Sequence, residues 1–268
     1  DHGIFDLAVG QFGIRFIHLR HLSMGQSGTE PLDTASPRRE APAAFSPLYQ
    51  QIRQLLLQSL ERGEWKPGEA IPSEFELAGR YHVSQGTVRK AIDELSAEHI
   101  LIRRQGKGTF VATHHEPIVR FRFLRLNPIE GEAVPGKSEI LWCRKVRASV
   151  DSAKALELRT GDALIYIRRL LSFEGKPTLI DDIYLPAASF KGLSMAVLQE
   201  NPGPLYGLFE SKFGVSMVRA DEKVRAVPAP EDVADLLNIT NGYPLLRVDR
   251  VSYTYGDRAV ELRNGHYL

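Results

Sequence analysis

Two stretches of the chain carry the residue types that hold nucleic acid. Ser84-Gln85-Gly86-Thr87-Val88-Arg89-Lys90 places hydroxyl, amide and cationic groups within two helical turns. Arg103-Arg104-Gln105-Gly106-Lys107-Gly108-Thr109 sets three cations around two glycines. Cations and backbone N–H groups meet phosphate, while amides and guanidiniums read base edges. The run Gly106-Lys107-Gly108-Thr109 is not a nucleotide phosphate loop. That motif needs Gly at 101 and Ser or Thr at 108, and the chain has Leu101 and Gly108. His114-His115-Glu116 lacks the i, i+4 spacing of a helical metal pair and is followed by Pro117, so it reads as a linker. No metal site and no cofactor are expected. The chain has no Ser nucleophile elbow, no Gly-rich nucleotide loop and no Cys–His constellation, so no catalytic residue is assigned.

The elements that must position these groups are legible. Leu48, Ile52, Leu55, Leu56, Ser59 and Leu60 recur at helical spacing and form one face. Gly63 stops that helix, and Pro67-Gly68 makes a turn. Ser73 with Glu76 three residues on is a capping box, so a short second helix starts there. Ser84 caps a third, whose buried face is Val88, Ala91, Ile92 and Leu95. Two short helices joined by a tight turn, the second exposing small, polar and basic groups at its start, form a helix-turn-helix. Gly86 lets the helix end approach a duplex, where free N–H groups favour phosphate. Residues 100–111 then read as a hairpin with a basic, Gly-containing tip, which is a wing.

The charge total looks unfavourable for a nucleic-acid partner. There are 34 Lys and Arg against 33 Asp and Glu, a formal net of +1. Steering depends on where charges sit, however. From Arg103 to Arg125 six basic residues face one acid, Glu116. The length of 268 residues fits one large or two modest domains, at roughly 100–200 residues each. A composition of 43% hydrophobic and 25% charged residues is ordinary for a soluble globular protein. The one cysteine, Cys143, excludes an internal disulfide framework and a multi-cysteine zinc site and fits a reducing, cytoplasmic setting. No apolar run is long enough to span a membrane. Residues 1–22 mix apolar and basic residues as a transit peptide does, but Gly and charge break the pattern. Met24 is the expected translation start, and residues 1–44 read as an unstructured lead-in.

Residues 45–113 resemble the winged helix-turn-helix domain of the GntR family of bacterial transcription regulators. The resemblance rests on Pro47-Leu48-Tyr49-Gln50-Gln51-Ile52, Pro67-Gly68, Pro72-Ser73-Glu74 with Glu76-Leu77-Ala78, Val83-Ser84, Thr87-Val88-Arg89, Ala91, Leu95 and Gly106-Lys107-Gly108-Thr109-Phe110-Val111. It implies DNA contacts from Tyr49, Ser73, Ser84, Gln85, Gly86, Thr87, Arg89, Arg103, Gly106, Lys107, Gly108 and Thr109. Phe75 and Gln85 depart from the pattern, standing where the family usually or often has Arg. Gln pairs best with adenine and Arg with guanine, so an altered base preference follows. Phe75 reads equally as packing.

Residues 114–120 read as the linker. Beyond it, Arg120 to Leu126 alternates like a strand. Further strands fall at 140–150, 163–173, 177–185, 215–226, 245–255 and 259–267, with helices at 152–158, 193–199, 204–213 and 230–237. Hairpins with interspersed helices make an antiparallel α+β domain. Arg168, Arg169, Asp181, Arg219, Glu222, Glu261 and Tyr267 are the polar strand residues available to a pocket, though each alone also fits an exposed strand face. Arg beside a pocket suits a carboxylate or phosphate.

Residues 121–268 resemble the UTRA ligand-sensing domain of the HutC subfamily of GntR regulators. The matching residues are Arg169 through Gly175-Lys176-Pro177, Tyr184-Leu185-Pro186, Glu222 with Ala226, Ala234-Asp235-Leu236-Leu237, Gly242-Tyr243-Pro244-Leu245-Leu246, Arg250 with Tyr253, and Val260-Glu261 with Tyr267. The resemblance implies a chorismate-lyase-like antiparallel α+β fold, a homodimer and a small-molecule effector. Arg169, Glu261 and Tyr267 sit where family members contact effector, and Arg168, Asp181 and Glu222 join them as effector candidates from the strand reading. Leu171 replaces a second Arg common in the family, which turns the expectation from a sugar phosphate toward a smaller carboxylate. The terminal strand is expected to be short. The combined reading is a dimeric, effector-responsive repressor on a palindromic operator in double-stranded DNA. The alternatives are an enzyme of chorismate-lyase type and a DNA-binding protein with an inert dimerisation domain.

Overall fold

The computed structural model describes residues 46–114 and 136–268, together with three short strands outside them. Two of those strands, β1 (Phe5–Val9) and β2 (Phe12–Phe16), pair antiparallel within the stretch expected to be an unstructured lead-in. The physical reason is legible afterwards. Phe5, Leu7 and Val9 alternate with Asp6 and Ala8, and Phe12, Ile14 and Phe16 repeat the pattern across Gly10-Gln11. The remaining lead-in and most of the expected linker and first sensor strand lie outside the described residues.

The head is built from three helices. Helix α1 (Leu48–Glu61) buries Ile52, Leu56, Ser59 and Leu60, while Leu48 and Leu55 from the same sequence stripe stay half exposed. Helix α2 (Glu74–Tyr81) begins at a complete capping box. The Ser73 Oγ accepts the Glu76 N–H at 3.3 Å, and the Glu76 carboxylate accepts the Ser73 N–H at 2.8 Å. His82, in the left-handed region at φ 53°, ends it and turns the chain into α3 (Gln85–Ala97). Ser84 caps α3 by accepting the Thr87 N–H at 3.2 Å. The inner face of α3 is the predicted one: Val88, Ala91, Ile92 and Leu95 are fully buried.

The wing is β3 (Leu101–Arg104) paired with β4 (Gly108–Val111). Gly106 and Gly108 hold φ of +68° and +104°, the left-handed range that a side chain would strain. On its other side β4 is pinned by the segment before α2, through Ile71 N–H to Thr109 O and Val111 N–H to Glu69 O, both at 2.9 Å.

A third short strand, β5 (Leu126–Pro128), pairs with β2. The second domain then unfolds as β6 (Lys137–Arg147), α4 (Val150–Ala155), β7 (Ala163–Phe173), β8 (Lys176–Pro186), α5 (Met195–Glu200), α6 (Leu205–Phe213), β9 (Arg219–Pro228), α7 (Glu231–Leu237), β10 (Pro244–Tyr253), a 3-10 turn at Tyr255–Asp257 and β11 (Ala259–Tyr267). Six of these strands form one antiparallel sheet in the order β6-β7-β8-β11-β10-β9. The terminal strand is therefore not short. It runs nine residues and is bonded on both sides.

Successive side chains of a strand point to opposite faces. Ile165 and Ile167 on β7 with Ile183 and Leu185 on β8 meet α5 and α6 through Leu198, Leu205, Leu208 and Phe209. Ile180, an even position on β8, faces the other way and packs on Val233, Ala234 and Leu237 of α7. The head rests on the second domain. Val218 and Tyr255 pack against its hydrophobic core, and a Cβ on Gly256 would lie 2.7 Å from the Glu61 carboxylate at the end of α1.

Candidate nucleic-acid interface and effector pocket

The first turns of α3 and the wing tip lie on one exposed surface of the head. Gln85, Gly86, Arg89 and Lys90 are exposed, as are Arg103, Arg104, Gln105, Gly106, Lys107 and Gly108. A Cβ added to Gly86 would meet nothing nearer than the Ser84 Oγ at 3.8 Å, so among the described residues there is open space at this position. Thr87 is half-buried, and its Oγ1 lies 2.9 Å from the Ser84 Oγ. Ser73 and Ser84 both act as helix caps. Tyr49 lies beneath α3, with the Lys90 ammonium 3.8 Å from its ring centre. Thr109 departs from the expected set: its side chain is buried, so it shapes the wing base rather than presenting a hydroxyl. Phe75 is not packing, at 78% exposure on the first turn of α2.

The residue that organises this surface was not singled out from sequence. Glu74, the first residue of α2, accepts from Arg89 Nε at 2.9 Å and pairs with Arg103 at 2.8 Å. Arg103 also donates to Asp93 of α3 at 2.7 Å. One carboxylate thus aligns the arginine of the third helix with the arginine of the wing. Burial works to raise the Glu74 pKa, but the bonds from Arg103 and Arg89 outweigh it and hold the carboxyl below its usual value. The Arg103 guanidinium is raised in turn: burial opposes its charge, and the bonds to Glu74 and Asp93 prevail.

In the second domain, five of the six expected effector residues gather on one face of the sheet. Arg169 and Asp181 are cross-strand partners and ion-paired. The Arg263 guanidinium donates to Asp181 at 3.2 Å and to both Glu261 oxygens at 3.1 and 2.9 Å. Glu222 accepts from Arg250 Nε at 2.6 Å, and Arg250 sits opposite Arg263 in register. The Tyr206 hydroxyl, from α6, donates to Glu261 at 2.7 Å. Tyr267 completes the face, with burial first and Asp181 second pushing its pKa up. Burial works to raise the Asp181 pKa, but Arg263 and Arg169 outweigh it and keep the carboxyl below its usual value.

The sixth residue, Arg168, does not join this group. Period two sends it to the opposite face, where it bonds Asp182 at 2.8 Å and Asp232 of α7 at 2.7 Å. Arg219, also a sequence candidate, pairs with Asp221 and Asp257 on the exposed edge strand. Sequence reasoning missed Arg263, Tyr206 and Gly265. Positions 261, 263, 265 and 267 alternate along β11, so the same periodicity that marks Glu261 and Tyr267 was available to find two of them. Gly265 is required sterically: a Cβ there would come within 2.6 Å of the Tyr267 ring and 3.1 Å of the Asp181 Oδ1.

Models of two protein families match the chain. The gntR family of bacterial regulatory proteins matches residues 48–111, and the UTRA domain matches residues 135–268. The chain belongs to the GntR family and carries a UTRA domain. It is a DNA-binding transcription regulator with a winged helix-turn-helix head and a UTRA sensor. It is 30% identical over 221 residues to a histidine utilization repressor from Pseudomonas putida, covering 80% of this chain and 84% of that protein. It is 27% identical over 219 residues to a mannosyl-D-glycerate transport/metabolism system repressor from Escherichia coli, covering 80% and 89%. Among solved structures, the ligand-binding domain of a Bordetella bronchiseptica protein assigned to GntR-family transcriptional regulators is similar at 56% identity. That likeness has a TM-score of 0.54 over 55% of this chain and 92% of that domain. No helix among the described residues of this GntR regulator is long and apolar enough to cross a membrane.

Two outcomes follow for this UTRA regulator. Glu74→Gln should release Arg89 and Arg103 from their common partner and lower the ratio of specific to non-specific duplex affinity by about tenfold, ~1.4 kcal/mol. Filter binding on a selected and a scrambled duplex measures that ratio, and an unchanged ratio would remove Glu74 from the interface. Gly265→Ala should destabilise the protein by about 1–3 kcal/mol, as overpacking of a filled site does. Denaturant unfolding followed by tyrosine fluorescence reads the loss.

Proposed function

We propose that this GntR–UTRA chain is a repressor that binds a palindromic operator as a homodimer in the cytoplasm and answers to a small carboxylate metabolite without turning it over. The observation that carries the DNA side is the shared exposed surface of α3 and wing, with Arg89 and Arg103 aligned by Glu74. Two such heads related by a two-fold axis fit half-sites one helical turn apart. In this reading Gln85, Gly86, Thr87 and Arg89 approach the major groove, and Arg103, Gly106, Lys107 and Gly108 meet the backbone beside it. Repression is the role named for both curated relatives above.

The effector side rests on the buried polar face of the sensor sheet. Its three guanidiniums, Arg169, Arg250 and Arg263, balance three carboxylates, Asp181, Glu222 and Glu261. Within that cluster Arg169 Nε and Asp181 Oδ1 are buried with no hydrogen-bond partner. An orphan donor beside an orphan acceptor suits a ligand that brings a carboxylate oxygen and a hydrogen-bond donor of its own. Such a ligand releases the operator when it binds the DNA-free arrangement more tightly than the DNA-bound one.

Two measurements test the reading. Selection of the full chain against a randomised duplex pool should recover inverted repeats. On the recovered duplex, Arg89→Ala should weaken binding across all sequence variants and lower the slope of log affinity against log salt by about one. In parallel, a thermal-shift screen of small carboxylates should find ligands that raise the melting temperature of the full chain by mass action. Failure of every carboxylate, with stabilisation by neutral sugars instead, would overturn the effector class.

A further inference from the structure

The strand that ends the wing does not simply leave the head. Val111 is fully buried in the head core, and Ala112 N–H still donates to Ile100 O at 3.0 Å. The next two residues are seated in the sensor. Thr113 Oγ1 donates to Glu210 of α6. His114 N–H reaches both Glu210 oxygens at 3.2 and 3.3 Å, and Ser216 Oγ donates to the same carboxylate at 3.3 Å. The His114 ring accepts the Met217 N–H at Nε2, 3.2 Å away. His114 and Glu210 are 3% and 7% exposed, so this seat is interior.

One helical turn before Glu210 on the same face of α6 stands Tyr206. Its ring meets the His114 ring edge-on, with centroids 5.4 Å apart. Its hydroxyl turns the other way, donating to Glu261 at 2.7 Å within 3.2 Å of the Ser252 Oγ. The Arg263 guanidinium lies 5.2 Å from the ring centre. Tyr206 therefore touches the buried charge cluster with its polar end and the exit of the wing with its apolar edge.

We propose that Tyr206 is the positioning residue through which the sensor's charge cluster sets the placement of the DNA head. The proposal rests on reading that cluster as the effector pocket. A ligand that draws Glu261 or Arg263 out of their present bonds frees the Tyr206 hydroxyl. The ring and α6 then shift together, and Glu210 carries Thr113 and His114 with them. Because the strand ending at Val111 is the inner strand of the wing, movement at His114 is delivered to the DNA-reading surface without an intervening flexible segment.

The test is a double-mutant cycle on the full chain, with the pocket perturbed by substitution rather than by a ligand. Glu261→Gln removes the charge that holds Tyr206. Tyr206→Phe keeps the ring against His114 and removes only the hydroxyl. Two readouts are followed: amide exchange over residues 112–114, and affinity for the selected duplex. Glu261→Gln alone should speed exchange at His114 by tenfold or more and change duplex affinity severalfold. In the Tyr206→Phe background the same substitution should change neither further. Equal effects in both backgrounds, or no effect of Glu261→Gln on exchange, would overturn the proposal. Should Glu261→Gln fail to fold, Ser252→Ala perturbs the same cluster by one hydroxyl and is judged by the same criterion. Absence of duplex binding by the unsubstituted chain would defeat the operator reading instead, and the exchange arm still decides the role of Tyr206.

Discussion

A carboxylate in a protein interior must be met by cations and hydrogen bonds or lose its charge, because desolvation costs several kcal/mol per ion. Asp181 and Glu261 are both fully buried on one face of the sensor sheet. Their answer is Arg263, which reaches both, and Arg169, which reaches the first. Everything around them follows from that requirement. Gly265 lacks a side chain so that Tyr267 and Asp181 can close over its place. Tyr206 is drawn in from α6 because Glu261 has a remaining oxygen lone pair to satisfy. The antiparallel register of β8, β11 and β10 is what sets these groups opposite one another. Breaking one partner of such a cluster leaves an uncompensated charge, so any change of charge in this face is coupled to packing by necessity.

The head obeys the same physics at lower stakes. Glu74 is partly buried and carries two arginines, one from the third helix and one from the wing. The pairing lowers the positive charge of the surface but orders it, holding two long side chains that would otherwise sample many rotamers. That balance matches a chain whose total charge is near neutral. It also explains why a local count of basic residues is a poor guide to how many of them are free.

Much of the fold was legible from local rules. Ser73, Glu76 and Ser84 mark helix starts because capping is a contact within one turn, and the structure makes those bonds where the sequence places them. Val88, Ala91, Ile92 and Leu95 are buried because their spacing leaves no other face. Local rules failed where two segments compete or cooperate. Leu48 and Leu55 share the α1 stripe yet stay half exposed among the described residues. The hairpin at Phe5–Phe16 was hidden by the low-complexity stretch after it. Arg168 and Arg169 look interchangeable in the sequence and end on opposite faces.

The sequence by itself determined the three helices and wing of the head and the main strands and helices of the second domain, and hence that the head is a winged helix-turn-helix and the sensor an antiparallel α+β domain. Those properties depend on capping, periodicity and turn chemistry, all of which act within a few residues. Only the tertiary structure decided that Glu74 would govern Arg89 and Arg103, that Arg263 would bridge Asp181 and Glu261, and that Tyr206 would stand between that cluster and His114. Each of these arrangements includes a contact between separate elements. Their geometry depends on sheet register and helix docking, which no spacing along the sequence encodes.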